Sequence, residues 1–487
     1  MVKHSQEEGS GPAAATRPGV ALLVLCASAF MASLDVFIVN VAFDDIGRDF
    51  PGSSLADLSW VLNAYAIVYA ALLVPLGSLA DRFGNKRAFL TGLAVFTTAS
   101  AACAASPNLW LLVTFRALQA AGAAALTPAS LGLLLAATPT PQRARAVRIW
   151  AASGALAAAA GPALGGLLVE SSWQWVFLVN VPVGILALTT GTRYVPADSR
   201  PTLARTLPDI LGTAVLTATI GSLSLTLVKG PDWGWTSKET MLALALTIVG
   251  ALAFGARIAR HPAPVIAPAL LRVRSFAWSN AVGLLFSLAF GANLLAIILW
   301  MQQTWGYSAL RTGLAVAPGP LMVPVFAAIA QRIAHRVSTG AITAAGSVLY
   351  GLASALLALR VGTTPHYASE MLPSSLLSGA GVGLALPTIL AAATTDLPAA
   401  QAATGSAVVT MSRQIGTTLG VAALVAVLAS ASPADDGRAA FVQGWWIITS
   451  AALLSALAAL GMTPRRSENA SATAAVRTPP STSVEGS

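Results

Sequence analysis

Asp35, Arg116 and Arg413 are the side chains of this 487-residue sequence that put a full charge well inside a long apolar run. A carboxylate or guanidinium in hydrocarbon costs at least ~2.5–3.5 kcal/mol, so each marks a functional site by default. At a rise of about 1.5 Å per residue, Asp35 lies about 9 Å from the outer end of the first run and Arg116 about 10 Å from the outer end of the fourth. Equal depth predicts an Asp35–Arg116 pair. A carboxylate whose partner or solvation changes between two conformations changes its proton affinity, and so can couple proton binding to a conformational cycle. The alternatives are a static structural ion pair, or an Asp35 that faces a water-filled vestibule. Arg413 begins the dipeptide Arg413-Gln414 near the midplane of the thirteenth run, with no carboxylate at its depth. It has two roles open to it: contact with an anionic substrate group, or a structural tie between helices.

Other chemistry is excluded by what is missing. Lys3, Lys86, Lys229 and Lys238 are the only lysines and none follows a glycine, so no phosphate-cradling loop ending in Gly-Lys-Ser/Thr exists. His4, His261, His335 and His366 fall in loops or at run ends, which leaves no intramembrane His-Glu-x-x-His site. We therefore expect no enzyme, no metal and no cofactor, and any uphill movement of solute must draw on an ion gradient. Cys26 and Cys103 both sit in apolar runs, where a disulfide framework is not expected.

The elements that must hold these charges are apolar helices. The chain is 56% hydrophobic and only 10% charged, against about a quarter charged in soluble domains. Runs long enough to cross a ~30 Å hydrocarbon core recur fourteen times, at about 20–41, 58–77, 88–105, 109–136, 147–169, 176–193, 208–228, 239–258, 276–301, 312–331, 338–359, 368–393, 404–429 and 440–462. The first is too long for a signal peptide, contains Asp35 and lacks a convincing cleavage site. Breaks at Arg193–Leu207 and Arg257–Arg274 divide the runs into six, two and six, the arrangement of transporters built from two helical bundles around a central site. The expected fold is all-α and integral to the membrane: residues 19–195 and 275–463 form the bundles, 196–274 a linker with two inserted helices, and 1–18 and 464–487 disordered cytoplasmic tails.

The net charge of +9 has a topological explanation. Of 28 basic residues, 20 fall on the side of the two tails, 6 on the other side and 2 within spans. The positive-inside rule then puts both termini in the cytoplasm of a multi-pass cell-membrane protein. Topology and anionic lipid headgroups account for these cations, and no separate basic domain exists to bind nucleic acid.

Four segments resemble the major facilitator superfamily, specifically its fourteen-span drug:proton antiporters. Leu34-Asp35-Val36-Phe37-Ile38-Val39-Asn40-Val41-Ala42 is similar to that family's first-span signature. Gly77-Ser78-Leu79-Ala80-Asp81-Arg82-Phe83-Gly84-Asn85-Lys86-Arg87 is similar to the cytoplasmic gating loop. Arg116-Ala117-Leu118-Gln119 with Gly122 resembles the motif linked to proton transfer, and Gly154 with Gly161-Pro162-Ala163-Leu164-Gly165-Gly166 the motif associated with antiporters. Their order, each on the right span and side, makes the match specific over about residues 20–462. It includes Trp173-Gln174-Trp175-Val176-Phe177-Leu178-Val179-Asn180-Val181-Pro182 and the stretch from Gly405 to Gly420. Departures are Ala120 for a usual glycine, Asn85 for a basic residue, Asp44 for a proline and Phe37 for a threonine, the last leaving the polarity beside Asp35 in doubt.

The resemblance implies proton coupling at Asp35 and Arg116, and a gate formed by Gly77, Asp81, Arg82, Gly84, Lys86 and Arg87. In that gate Asp81 could accept from Arg82, or from Arg143 or Arg145 beyond the fourth span. The alternative for these charges is plain topology. Pro162 should bend the fifth helix while Gly161 and Gly165, four residues apart with Ala157, pack one face. A packing kink without directional role is the alternative there.

Substrate candidates are Asn63, Gln302, Gln303, Arg413 and Gln414, with aromatic residues such as Tyr65 and Phe290 able to line an adaptable apolar cavity. Trp60, Trp300, Trp305, Trp445 and Trp446 read equally well as interfacial anchors. The resemblance implies export of a lipophilic compound or antibiotic in exchange for protons, by a protein that works as a monomer among membrane lipids. Export of an endogenous metabolite or anionic solute is one alternative, and a non-transporting membrane sensor another.

Overall fold

The computed structural model describes residues 18–196, 209–262, 264–397, 402–429 and 438–462. The expected tails and most of the first linker lie outside the described residues. Within them the long helices are α1 (Pro18–Val41), α2 (Leu55–Phe83), α3 (Asn85–Ala104), α4 (Leu109–Ala137), α5 (Arg143–Val169), α6 (Asn180–Tyr194), α7 (Ile210–Trp233) and α8 (Lys238–Arg260). The second half adds α9 (Arg274–Leu299), α10 (Ala309–Val316 continued by Pro318–Ile333), α11 (Thr339–Arg360), α12 (Tyr367–Thr395), α13 (Ala402–Ala429) and α14 (Arg438–Ala459). Thirteen spans are long and apolar enough to cross a membrane, and a fourteenth is α5, bent by 44° between Arg145–Ala158 and Ala160–Val169. The bend has a covalent cause. Pro162 has no N–H to give the carbonyl of Ala158, so one rung of the helix ladder is absent where the axis breaks.

Side-chain caps mark several starts. Ser54 and Asp57 form a reciprocal capping box at α2, and Asn108, Ser237, Ser308 and Ser338 each accept from a first-turn amide of α4, α8, α10 and α11. The polar residue before each of these five helices therefore satisfies amides that hydrocarbon could not.

In the first bundle α1 packs on α4, α5 and α6, and α4 on α2 and α3. In the second, α9 packs on α12, α13 and α14, and α11 on α12 and α14. Small residues make these approaches possible: a Cβ on Gly92 of α3 would stand 2.8 Å from the Gly122 carbonyl of α4. The bundles meet along α2 with α13, and α5 with α10. Of the two linker helices, α7 seats against α2 and α13, while α8 packs on α7 and leaves Leu242, Val249 and Leu252 more than 60% exposed, as lipid-facing residues should be. Lys229 of α7 pairs with Asp57 of α2 at 2.7 Å, and Arg257 of α8 with Asp209 at the start of α7 at 2.7 Å.

Two expectations need correction. The gating segment is not a loop: α2 runs on through Gly77, Asp81 and Arg82 to Phe83, and one residue, Gly84 at φ 104°, turns the chain into α3. Charged residues ended the apolar run, but a helix can continue past the hydrocarbon into the headgroup layer. Trp300 and Trp445 are not interfacial anchors; both are fully buried, 5.4 Å apart, and packed with Phe441. At its end α9 widens into a π turn over Trp300–Thr304, which rotates the residues beyond it.

Candidate functional site

Asp35 of α1 and Arg116 of α4 meet in the first bundle. Arg116 Nη1 donates to Asp35 Oδ2 at 2.5 Å, and the two side chains are 0% and 1% exposed. Such a pair, sealed from water, survives because its remaining hydrogen-bond capacity is filled. Gln119 Nε2 and Asn180 Nδ2 donate to Asp35 Oδ1 at 2.8 and 3.1 Å, and both amides also donate to Ser100 Oγ. Arg116 is held in turn by the Gln119 side-chain oxygen at 2.7 Å and the Val61 carbonyl at 3.2 Å, with its guanidinium 4.2 Å from the centre of the Tyr65 ring.

Five helices thus converge on one ion pair: α1, α2, α3, α4 and α6. Three donors are aimed at a single carboxylate, and a proton placed there would weaken all three bonds at once. Neither partner reaches solvent in this arrangement, so proton exchange at Asp35 requires the bundle to open. Gln119 and Asn180 stand inside family-like segments, and Tyr65 among the aromatics, yet the sequence offered no reason to put them at Asp35. Ser100 carried no signal at all, because an isolated serine in a span is common.

The antiporter segment of α5 uses two faces. Gly154, Gly161 and Gly165 face α1, where Cβ atoms would press on Ser33, Phe37 and Ile38. Pro162 and Gly166 face α10: the Pro162 carbonyl sits against Gly313, and the Ala309 carbonyl and Leu310 sit against Gly166. The bundles therefore touch backbone to backbone at the end opposite the termini, and no side chain intervenes. On the same face, Gln302 Nε2 donates to the Val41 carbonyl at the end of α1 at 3.0 Å.

In the gating segment, Gly77 packs on Pro128 of α4. Lys86 donates to the carbonyls of Thr192 and Val195 at 3.0 and 2.6 Å, which ties the start of α3 to the last turn of α6. Arg87 is exposed. The side chain of Asp81 lies outside those described.

The substrate candidates scatter. Asn63 is fully buried in α2 and donates to Ser59 Oγ at 3.4 Å. Gln302 clasps the two bundles through the Val41 carbonyl, and Gln303, the next residue of the π turn, is exposed. Arg413 and Gln414 stay half-buried in the middle of α13, where Ser412 bonds Asn280 of α9 at 2.8 Å. Aromatic side chains bridge the bundles nearby: Phe37 of α1 meets Phe290 of α9 edge-on at 6.3 Å, and Phe290 lies 6.4 Å from Tyr350 of α11.

Comparison with known proteins agrees with this architecture. The family profile described as Major Facilitator Superfamily matches residues 25–421. A methylenomycin A resistance protein of Streptomyces coelicolor is 32% identical over 460 residues, covering 94% of this chain and 95% of that protein. The multidrug resistance protein Stp of Mycobacterium tuberculosis is 35% identical over 82% of this chain and 74% of its own length. A tetracenomycin C resistance and export protein of Streptomyces glaucescens is 31% identical over 85% of this chain and 76% of its own. Among solved structures, a peptide transporter POT in complex with sulfate superposes with a TM-score of 0.65 at 19% identity, over 90% of this chain and 93% of that one. At that identity the likeness is one of fold.

Proposed function

The chain belongs to the Major Facilitator Superfamily, and within it we propose that this transporter exports drug-like or antibiotic small molecules in exchange for protons, by alternating access. The observation that carries the reading is the set of relatives named for resistance and export, each 31–35% identical over most of both chains. Asp35 is the proton carrier. With the α5–α10 seam closed, its carboxylate is clasped by Arg116, Gln119 and Asn180. Separation of Gly166 from Ala309 and of Gly313 from Pro162 opens that face, water reaches Asp35, and protonation frees Arg116. Return of the bundles re-forms the pair and delivers the proton to the opposite side.

The gate at the terminal face consists of Gly77, Asp81, Arg82, Gly84, Lys86 and Arg87, with Asp81 accepting from Arg82 or from Arg143 and Arg145 at the start of α5 as a latch. Gly154, Gly161, Pro162, Gly165 and Gly166 set the shape of α5 that the cycle needs. The excess of basic residues on the side of the tails orients both termini toward the cytoplasm. The two bundles are residues 19–195 and 275–463, joined by the 196–274 linker with α7 and α8. The protein works as a monomer in the cell membrane, with lipid against α8. Export of an endogenous anionic metabolite would use the same machinery, and Arg413 is the residue that favours it.

The test is expression in an efflux-deficient host, with resistance scored over a broad compound panel and accumulation measured in everted vesicles with and without a proton gradient. Gradient-dependent export of panel compounds is expected. Export that persists when the gradient is collapsed would overturn the coupling, and no export of any compound would overturn the reading.

A further inference from the structure

Arg413 has the surroundings of a ligand-binding residue and lacks those of a structural one. Arg116, the other guanidinium inside a span, is satisfied by Asp35, Gln119 and a backbone carbonyl. Arg413 has none of this. Its Nε is buried without a hydrogen-bond partner, and its guanidinium pairs with no carboxylate among the described residues. The residue as a whole is only half-buried. A cation left this way inside the membrane is unfavourable unless something else comes to it.

The side-chain stem crosses Gly283 of α9, where a Cβ would stand 3.3 Å from Arg413 Cγ and crowd the stem. Among the described residues, Tyr69 of α2 is the ionisable group within electrostatic reach, across the bundle interface. Tyr69 is stacked on Tyr65 with ring centres 6.0 Å apart. Phe286 and Phe290 lie one and two turns beyond Gly283 on the same side of α9, and both touch Tyr350. One cation thus stands beside flat aromatic walls, with no anion among the described residues to neutralise it.

We propose that Arg413 is the anion-accepting group of the substrate site, and that the exported compounds include molecules carrying an ionised carboxylic acid or phenol on a planar apolar skeleton. The inference rests on the export reading and narrows its substrate class. Nε and one Nη of a guanidinium present two parallel N–H bonds, the geometry that receives a carboxylate bidentately. The rings on α2, α9 and α11 receive the skeleton. A lysine would keep the charge and lose the fork.

The experiment compares matched probes: a fluorescent aromatic carboxylic acid and its methyl ester, with export from everted vesicles measured for the wild type, Arg413→Gln and Arg413→Lys at equal membrane levels. The acid-to-ester export ratio is expected to fall at least tenfold in Arg413→Gln and to recover in part in Arg413→Lys. In parallel, the acid should raise the melting temperature of purified wild-type protein more than the ester does, and that difference should vanish in Arg413→Gln. An unchanged ratio in Arg413→Gln, or a wild type that exports the ester and ignores the acid, would overturn the proposal while leaving export intact. A wild type that moves neither these probes nor any panel compound would overturn the export reading, and this inference with it.

Discussion

The carbonyl of Pro162 in α5 occupies the place that a side chain at Gly313 in α10 would need. The contact joins the bend of one bundle to the first half of a span in the other, and it closes the face opposite the termini. A methyl group at this point meets backbone, which cannot rotate away. Gly313→Ala is therefore expected to disfavour the closed seam by about 1–3 kcal/mol, the usual penalty of overpacking. Resistance should fall, and a cysteine placed at Phe37 should react faster with a membrane-impermeant thiol reagent. Gly255→Ala in α8, whose Cβ would meet nothing within 4 Å, is the control that should leave both readouts unchanged.

At Asp35 two substitutions separate chemistry from packing. Asparagine keeps the shape and one acceptor but cannot carry a proton, so Asp35→Asn should abolish gradient-driven export while substrate-for-substrate exchange continues. Alanine leaves Arg116 buried without its counter-charge, which costs about 3–5 kcal/mol. Asp35→Ala should accordingly lower the melting temperature in detergent well below that of Asp35→Asn. Full gradient-driven export by Asp35→Asn would remove Asp35 from the coupling.

The unequal legibility of these parts has physical reasons. Asp35 and Arg116 could be paired from sequence because charges inside spans are scarce and the rise of a helix is constant, so depth alone nearly determines the partner. Gln119, Ser100 and Asn180 could not, since neutral polar residues are common in spans and depth does not say which way a helix is turned about its axis. That Gln302 reaches the Val41 carbonyl was not legible, because a π turn adds a residue to one turn of α9 and rotates the chain beyond it. Pro162 was legible as a bend from its missing donor, but that Gly161 and Gly165 serve α1 while Gly166 serves α10 depends on the arrangement of both bundles.

Lys86 offers a test of the gating segment that does not depend on Asp81. Its ammonium reaches the Thr192 and Val195 carbonyls, which α6 leaves without helical partners at its end. Lys86→Ala should destabilise the purified protein by about 1–3 kcal/mol, the range for a charge-assisted bond to otherwise unpaired groups. Trypsin should then cleave faster at Arg193. Lys86→Arg should restore most of the protection, whereas a role in topology alone would leave proteolysis unchanged in both variants.

Asp209 ties the two linker helices together and makes that tie sensitive to acid. Burial pushes its carboxyl up, but the Gly212 amide and the Arg257 guanidinium outweigh burial and hold it below the ordinary aspartate value, with His261 Nδ1 3.9 Å away. A carboxylate whose folded pKa is depressed contributes stability in full above its unfolded pKa of about 3.9, and loses it as pH falls through the lower folded value. Asparagine is itself a good N-cap, so Asp209→Asn removes the charge on α7 and keeps the cap. The comparison is made in a His261→Gln background, which takes the imidazole out of the cluster. There the chain that retains Asp209 should melt at a higher temperature than its Asp209→Asn counterpart at pH 7, with the gap closing below about pH 4 as the carboxyl protonates. A gap that stays constant through that range would mean that the contact with Arg257 adds nothing to the α7–α8 hairpin beyond the cap.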